Sequence, residues 1–115
     1  MRMTFRSERL RRYVATLNCP HCGTDAVQVA HRNFGKGLGL KVSDGLVAAL
    51  CMYGHSRIDQ GKDLVRDERR KLMDAYIVAT YHQAWMRGDC DPALFDLWGR
   101  ELAAVGLLSI ETEAA

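Results

Sequence analysis

Residues 17–61, LNCPHCGTDAVQVAHRNFGKGLGLKVSDGLVAALCMYGHSRIDQG, decide the fold of this 115-residue chain. They hold three of the four cysteines, three of the four histidines and most of the glycines. A Cys-Pro-His-Cys-Gly turn occupies residues 19–23, an Ala-His-Arg-Asn step follows at 30–33, and a Cys-x-x-x-His-x-x-x-Asp segment starts at residue 51. Cysteines and histidines at such short spacings are typical of metal sites on small folds. We expect the rest of the chain to form helices that pack around this stretch.

The length and composition favour one ordinary globular domain. At 115 residues, 48% hydrophobic and 26% charged, the chain can form a single modest core, which a bound metal would stabilise. We expect a single domain over residues 1–110 and a loose tail at 111–115. No apolar run approaches the roughly 18 residues that a membrane span needs, and the first residues lack the apolar segment of a signal peptide. These features predict an intracellular, cytoplasmic protein with no membrane partner.

The charges are unevenly distributed although the net charge is only +2. Residues 1–14 carry five arginines against one glutamate, whereas residues 88–115 carry one arginine against six carboxylates. A basic N-terminal segment of this kind is either a solvated helix face or a face that binds anions such as phosphates. The sequence leaves both interpretations open.

Three helices are predicted outside the core stretch. Ser7 is a good N-cap for a short amphipathic helix over residues 7–17. The longest periodic segment, residues 63–86, predicts a helix whose apolar stripe starts at Val65. Asp91-Pro92 is a strong helix start for residues 92–105, with an apolar stripe that runs to Val105. The aromatic residues of the two C-terminal helices are expected in the core or at a homodimer face.

Within residues 19–61 the pattern predicts a turn, two strands and a helix. Alternating residues around Val27 and Val29 favour a strand that presents His31 on the same face as the valines. Glycines at every second position in residues 33–41 favour a loop, and the apolar run at 46–51 favours a second strand. Residues 53–60 are predicted to form a helix of two turns that ends at Gly61. The expected class is α+β, with a zinc-knuckle turn and a two-stranded hairpin followed by a helix.

The thiols favour a structural zinc site. In a reducing compartment a Cys-x-x-Cys pair is better interpreted as metal-binding or redox-active than as half of a disulfide. No thioredoxin-like strand–helix–strand pattern surrounds the pair, which disfavours a redox protein. Cys19, Cys22 and Cys51 are the predicted zinc ligands. The fourth ligand stays open among His21, His55 and Cys90.

The order of histidine, loop, strand and histidine-bearing helix resembles a known arrangement. The run Cys-x-x-Cys, Ala-His-Arg-Asn, Gly-Lys-Gly-Leu-Gly-Leu-Lys, Ser-Asp, Ala-Leu-Cys and His-x-x-x-Asp-Gln-Gly is similar to the small phage and prophage endonucleases of the HNH, or His-Me finger, superfamily, in the YbcO-like group. The similarity covers about residues 10–87. It implies a ββα-metal core and hydrolysis of DNA phosphodiesters with one divalent cation, Mg²⁺ or Mn²⁺.

The resemblance also implies roles for particular residues. His31 becomes the candidate general base, and His55 the candidate ligand of the catalytic cation. Asp59 lies four residues after His55, which puts both on one helix face. Asp44 is a further candidate carboxylate, and Asn33 is a candidate to orient His31 or to contact phosphate. The basic residues expected to contact DNA are Arg9, Arg11, Arg12, Arg32, Lys36 and Lys41.

The chain departs from the family pattern at two positions. Relatives usually place a cysteine or histidine at the position of Gly54, which would complete the zinc site. Many HNH enzymes have an acidic metal ligand at the position of Ala30. If His55 completed the zinc site, it would no longer be available to a catalytic cation. Two hypotheses therefore stand: a metal-dependent DNA endonuclease or nickase, and a catalytically degenerate zinc-stabilised phage protein that binds DNA or inhibits a host protein.

Overall fold

The computed structural model describes residues 4–32, 42–60 and 64–109, with the backbone alone for residues 59 and 60. The described chain is a compact α+β fold that consists of a two-stranded antiparallel hairpin and four helices. The elements follow one another as α1 (Glu8–Val14), β1 (Gln28–His31), β2 (Val47–Leu50), α2 (Met52–Gln60), α3 (Arg66–Arg87) and α4 (Pro92–Ala104). The predicted α+β class and the hairpin-then-helix order are confirmed at this level.

Helix α1 begins where the sequence predicts and ends earlier. The Ser7 hydroxyl accepts a hydrogen bond from the Leu10 backbone N–H at 3.0 Å, which is the expected N-cap. The regular α-helix ends at Val14 and not at residue 17. The chain turns after Val14, where the Leu17 N–H donates to the Val14 carbonyl at 3.0 Å. Leu10, Val14 and Leu17 are fully buried, so the predicted apolar face is correct.

The hairpin pairs Gln28 with Leu50 at one end and His31 with Val47 at the other. Every residue of β2 is fully buried, which explains why its sequence reads as a continuous apolar run. In β1 the buried residue is Ala30, so Val29 and His31 share the opposite face, as predicted. The hairpin therefore lies inside the fold with β2 at its centre.

Helix α3 supports β2. The Thr80 hydroxyl, fully buried, accepts from the Ala49 N–H at 3.2 Å and donates to the Tyr76 carbonyl at 2.8 Å. This contact satisfies a strand N–H that a two-stranded sheet would otherwise leave unpaired. The prediction that Val65 belongs to the buried stripe is wrong: Val65 precedes the helix as its N-cap residue and is 65% exposed.

Helix α4 packs against Tyr81 of α3 and contributes Trp98 to the core. The Asp91 carboxylate accepts from the Leu94 N–H at 3.0 Å with Pro92 in the first turn, as the sequence predicts. Trp98 and Leu102 are buried, but the helix ends at Ala104, so the expectation that the stripe reaches Val105 is wrong. The Trp98 indole N–H donates to the Gly45 carbonyl at 3.0 Å. This bond fixes the turn that leads into β2.

Candidate metal centre and histidine–aspartate cluster

Three cysteines meet at one end of the hairpin. Cys19 and Cys22 belong to the turn between α1 and β1, and Cys51 directly follows β2. Their Sγ atoms all lie within 4.8 Å of one another. The turn is closed by a Gly23 N–H bond to the Cys19 carbonyl of 2.7 Å, and Gly23 adopts a φ of 80°, which favours glycine. The three thiols predicted from the sequence are therefore brought together, and the cluster can hold a metal ion.

Backbone donors surround two of these sulfurs. The His21 N–H donates to Cys19 Sγ at 3.3 Å, and the Gly54 N–H donates to Cys51 Sγ at 3.2 Å. Burial raises the pKa of Cys19, but N–H donors from Cys51, Cys22 and His21 outweigh it, and the pKa lies below its usual value. N–H donors favour thiolate, and thiolate is the form that binds soft metals. The donor set fits zinc.

The predicted fourth ligands have other partners. The His21 Nδ1 lies 2.9 Å from the Tyr76 hydroxyl, and the His55 Nδ1 donates to the Gln28 side-chain carbonyl at 2.7 Å. Cys90 lies with Ala84, Gly88 and Phe95 beside a separate surface cavity. Among the side chains that the structure describes, no histidine, cysteine or carboxylate joins the three-cysteine group.

A second cluster is centred on Asp44, which is fully buried. One carboxylate oxygen, Oδ2, accepts from the Ser7 backbone N–H at 2.8 Å and from the Arg11 Nε at 3.2 Å. The other, Oδ1, accepts from the His31 Nε2 at 2.8 Å and lies 3.4 Å from an Arg6 guanidinium nitrogen. We call Asp44, His31, Arg6, Arg11 and Ser7 the Asp44 cluster. It joins the start of α1 to the end of β1.

The turn before β2 holds Asp44 in place. The Asp44 N–H donates to the Phe5 carbonyl at 2.9 Å, so the backbone as well as the side chain is tied to the N-terminal segment. The Ser43 hydroxyl accepts from the Gly45 N–H at 3.0 Å and donates to the Glu101 carboxylate at 2.6 Å. A Cβ at Gly45 would come within 2.6 Å of the Glu101 Cβ, so only glycine allows α4 this close to the turn.

The Asp44 carboxylate orients the His31 ring through one hydrogen bond. Burial raises the pKa of Asp44, but the His31 hydrogen bond, the Ser7 N–H and the Arg6 charge lower it by more, and the net pKa is below the usual value. An ionised carboxylate only accepts hydrogen bonds, so the His31 Nε2 carries a proton. In the neutral imidazole the lone pair is then on Nδ1, and the His31 side chain is 30% exposed. The arrangement can orient an imidazole as a proton acceptor.

His55 lies away from the Asp44 cluster. It contacts Gln28, the first residue of β1, whereas His31 is the last. Gln28 and His31 are three steps apart along the strand, a distance of about 10 Å, so they lie on opposite faces of the hairpin. The structure therefore brings His31 together with Asp44, and it pairs His55 with Gln28 at the other end of β1. Asn33 and the Asp59 side chain lie outside the described residues.

The predicted DNA-binding arginines differ in their surroundings. Arg9 and Arg12 are 74% and 77% exposed, Arg9 at 3.9 Å from the Asp91 carboxylate and Arg12 bonded to Glu8 on its own helix. Arg11 belongs to the Asp44 cluster. Arg32, the residue after β1, is only 12% exposed and bonds the Asp74 carboxylate of α3 at 3.0 Å. Lys36 and Lys41 lie outside the described residues.

Sequence reasoning missed two features of this site. It did not identify Arg6 as a partner of Asp44, and it gave Asp44 a minor role. An aspartate between a serine and a glycine reads as a turn residue, and no local pattern indicates that the turn is buried. The one available signal is the concentration of arginines at residues 6–12.

Comparison of the chain with protein-family models, with curated proteins and with solved structures gives no significant match. Among the helices of the described residues, none has the length and apolar character needed to cross a membrane.

Proposed function

We propose that this chain is a metal-dependent DNA endonuclease or nickase of the ββα-metal type, stabilised by zinc and encoded by a phage or prophage. The observation that carries the proposal is the contact between His31 Nε2 and the buried Asp44 at 2.8 Å. A carboxylate that holds one imidazole nitrogen leaves the other oriented to take a proton from water. In this proposal His31 is the general base and Asp44 positions it.

Charge near the Asp44 cluster supports a phosphodiester substrate. Two guanidinium groups, of Arg6 and Arg11, face one carboxylate, so the cluster is positive even with a neutral imidazole. Both side chains stay partly exposed, at 48% and 41%. The exposed Arg9 and Arg12 extend the positive charge along α1. Contacts of arginines to phosphates give affinity without base specificity.

The divalent cation, Mg²⁺ or Mn²⁺, would be held by His55 with Asp59. Because the His55 Nδ1 donates to Gln28, the lone pair of the neutral ring is on Nε2, the nitrogen suited to a metal. Such a cation would neutralise charge that develops on the phosphate and on the leaving oxygen. Zinc would be held by Cys19, Cys22 and Cys51, where it would stabilise the fold.

A second candidate function is a zinc-stabilised protein that binds DNA, or a host protein, without chemistry. The observation that favours it is the separation of His31 and His55 at opposite ends of β1. In this case Asp44 and His31 only join α1 to the hairpin.

Cleavage of supercoiled plasmid in Mg²⁺ or Mn²⁺ tests the proposal, with DNA binding measured in parallel. We expect the wild type to nick plasmid, and His31→Ala to lower the rate by about 10²–10⁴-fold, the usual contribution of a general base. His82→Ala is the matched control, because His82 is exposed on α3. Wild type that binds DNA and leaves it intact in every divalent cation would instead support the second candidate.

A further inference from the structure

The three-cysteine site has a gap on one side, next to Gly54 in α2. A Cβ built at Gly54 would lie 3.6 Å from Cys51 Sγ, 3.8 Å from the His21 Cβ and 3.8 Å from a Leu50 methyl group. These are ordinary van der Waals distances, so a Cβ fits there without displacing its neighbours. The backbone of Gly54 already touches the site, because its N–H donates to Cys51 Sγ at 3.2 Å.

The gap corresponds to a missing donor. Cys19 and Cys22 are separated by two residues, and Cys51 and Gly54 have the same separation. A cysteine at position 54 would therefore form a second Cys-x-x-Cys pair with Cys51, like the pair of Cys19 and Cys22. Zinc in a structural site takes four ligands in a tetrahedron, and three thiols supply only three of them.

The neighbouring imidazoles do not fill the gap in this arrangement. His21 lies against the Tyr76 hydroxyl at 2.9 Å, and His55 donates to Gln28 at 2.7 Å. Neither joins the three-cysteine group among the described side chains. Cys22 is exposed, so solvent reaches the cluster directly.

We propose that a metal ion on Cys19, Cys22 and Cys51 keeps an exchangeable fourth coordination position beside Gly54, which takes a small donor from solution, water at rest and a thiolate when one is present. Three protein ligands and one exchangeable position are the coordination pattern of zinc sites that bind exogenous ligands. The inference rests on the zinc part of the proposed function and is independent of the nuclease part.

Cobalt(II) in place of zinc gives the test, since thiolate-to-cobalt charge transfer reports the number of bound sulfurs. A small thiol such as 2-mercaptoethanol, titrated into the cobalt-loaded wild type, should raise this absorption saturably by roughly one third, as three sulfurs become four. Gly54→Cys should reach the same absorption without added thiol and should not respond to it. Gly54→Ala, which adds a Cβ but no sulfur, should keep the three-sulfur spectrum.

His21→Ala and His55→Ala separate this proposal from a histidine ligand. Both variants should give the wild-type cobalt spectrum and the same thiol response. A wild-type spectrum that ignores added thiol and changes in either histidine variant would overturn the exchangeable position. A chain that binds no cobalt would overturn the metal site itself, while plasmid cleavage tests the nuclease separately.

Discussion

The three-cysteine site and the Asp44 cluster hold the two ends of one hairpin by different means. Asp44 is a buried charge whose partners all belong to the chain: a backbone N–H, two guanidinium groups and an imidazole. The cysteines lie close together, and two of them accept backbone N–H bonds, yet each can carry a negative charge that a bound cation would offset. We therefore expect the Asp44 cluster to form with the fold, and the cysteine end of the hairpin to depend on metal.

Loss of the metal should have the largest effect. Binding of structural zinc contributes on the order of 10 kcal/mol at neutral pH, comparable with the whole stability of a small domain. Cys22→Ser, or a strong chelator, should therefore unfold the domain or lower its thermal midpoint severely. Cys90→Ser is the matched control, since Cys90 lies outside the group, and its melting curve should stay near that of the wild type. Equal melting curves for both variants would contradict a structural metal.

Asp44→Asn should cause the next largest loss of stability. The asparagine amide keeps the shape of the aspartate side chain but removes the charge that faces His31 and Arg11. Its NH₂ group is a donor, and it would replace an oxygen that now accepts hydrogen bonds, so two donors would face each other. Loss of charged hydrogen bonds at a buried site costs about 2–4 kcal/mol, less than for a fully desolvated pair because the arginines are partly exposed. Urea denaturation measures it. Asp96→Asn, which loses an exposed pair with Arg100, should be nearly neutral, and a comparable loss in that variant would contradict the account.

Replacement by alanine should change the stability in opposite directions at Gly45, beside the Asp44 cluster, and at Gly54, beside the three cysteines. A Cβ at Gly45 would meet the Glu101 Cβ at 2.6 Å, whereas one at Gly54 meets nothing closer than 3.6 Å. Gly45→Ala should cost about 1–3 kcal/mol, the usual cost of overpacking. Gly54→Ala should gain about 0.5–1 kcal/mol from lower chain entropy in α2. The urea midpoints of the two variants measure these changes. A Gly45→Ala variant that is more stable than the wild type would contradict the close contact between α4 and the Asp44 turn.

The smallest expected effect is the pH dependence of the contribution that Asp44 makes to stability. Asp44 has a folded pKa below its usual value, so its contribution to stability is complete above the unfolded pKa of about 3.9 and is lost as pH falls toward the folded pKa. The difference in unfolding free energy between wild type and Asp44→Asn should shrink as the pH falls below about 4. A difference that persists undiminished below this pH would contradict an ionised Asp44. Comparing the two proteins cancels the acid release of metal, which affects both.

Local patterns were enough to predict most of the fold. Ser7 and Asp91 identify their helix starts because caps act within four residues, and the apolar run of β2 identifies a strand buried on both faces. The meeting of Cys51 with Cys19 and Cys22 was predictable from chemistry, since thiols in a small reduced protein favour a shared metal. Val65 and Val105 were misplaced because periodicity cannot tell where a helix stops.

The Asp44 cluster could not be predicted in the same way. His31 is 13 residues from Asp44 in sequence and Ser7 is 37, so the contact depends on how α1 docks against the hairpin. Spacing likewise suggested one site for His31 and His55, whereas His55 contacts Gln28 at the first residue of β1 and His31 is the last residue of that strand. Such contacts depend on how the helices and the hairpin pack in three dimensions, and local sequence patterns do not predict this packing.

The most direct test of the account is chemical rescue of the proposed base. His31→Gly removes the imidazole from the Asp44 cluster and leaves a space for a free one. We expect the variant to bind DNA, to lose plasmid nicking in Mg²⁺ or Mn²⁺, and to regain part of it when imidazole is added, whereas the wild type should not respond. A His31→Gly variant that nicks plasmid at the wild-type rate without imidazole would contradict the role of His31.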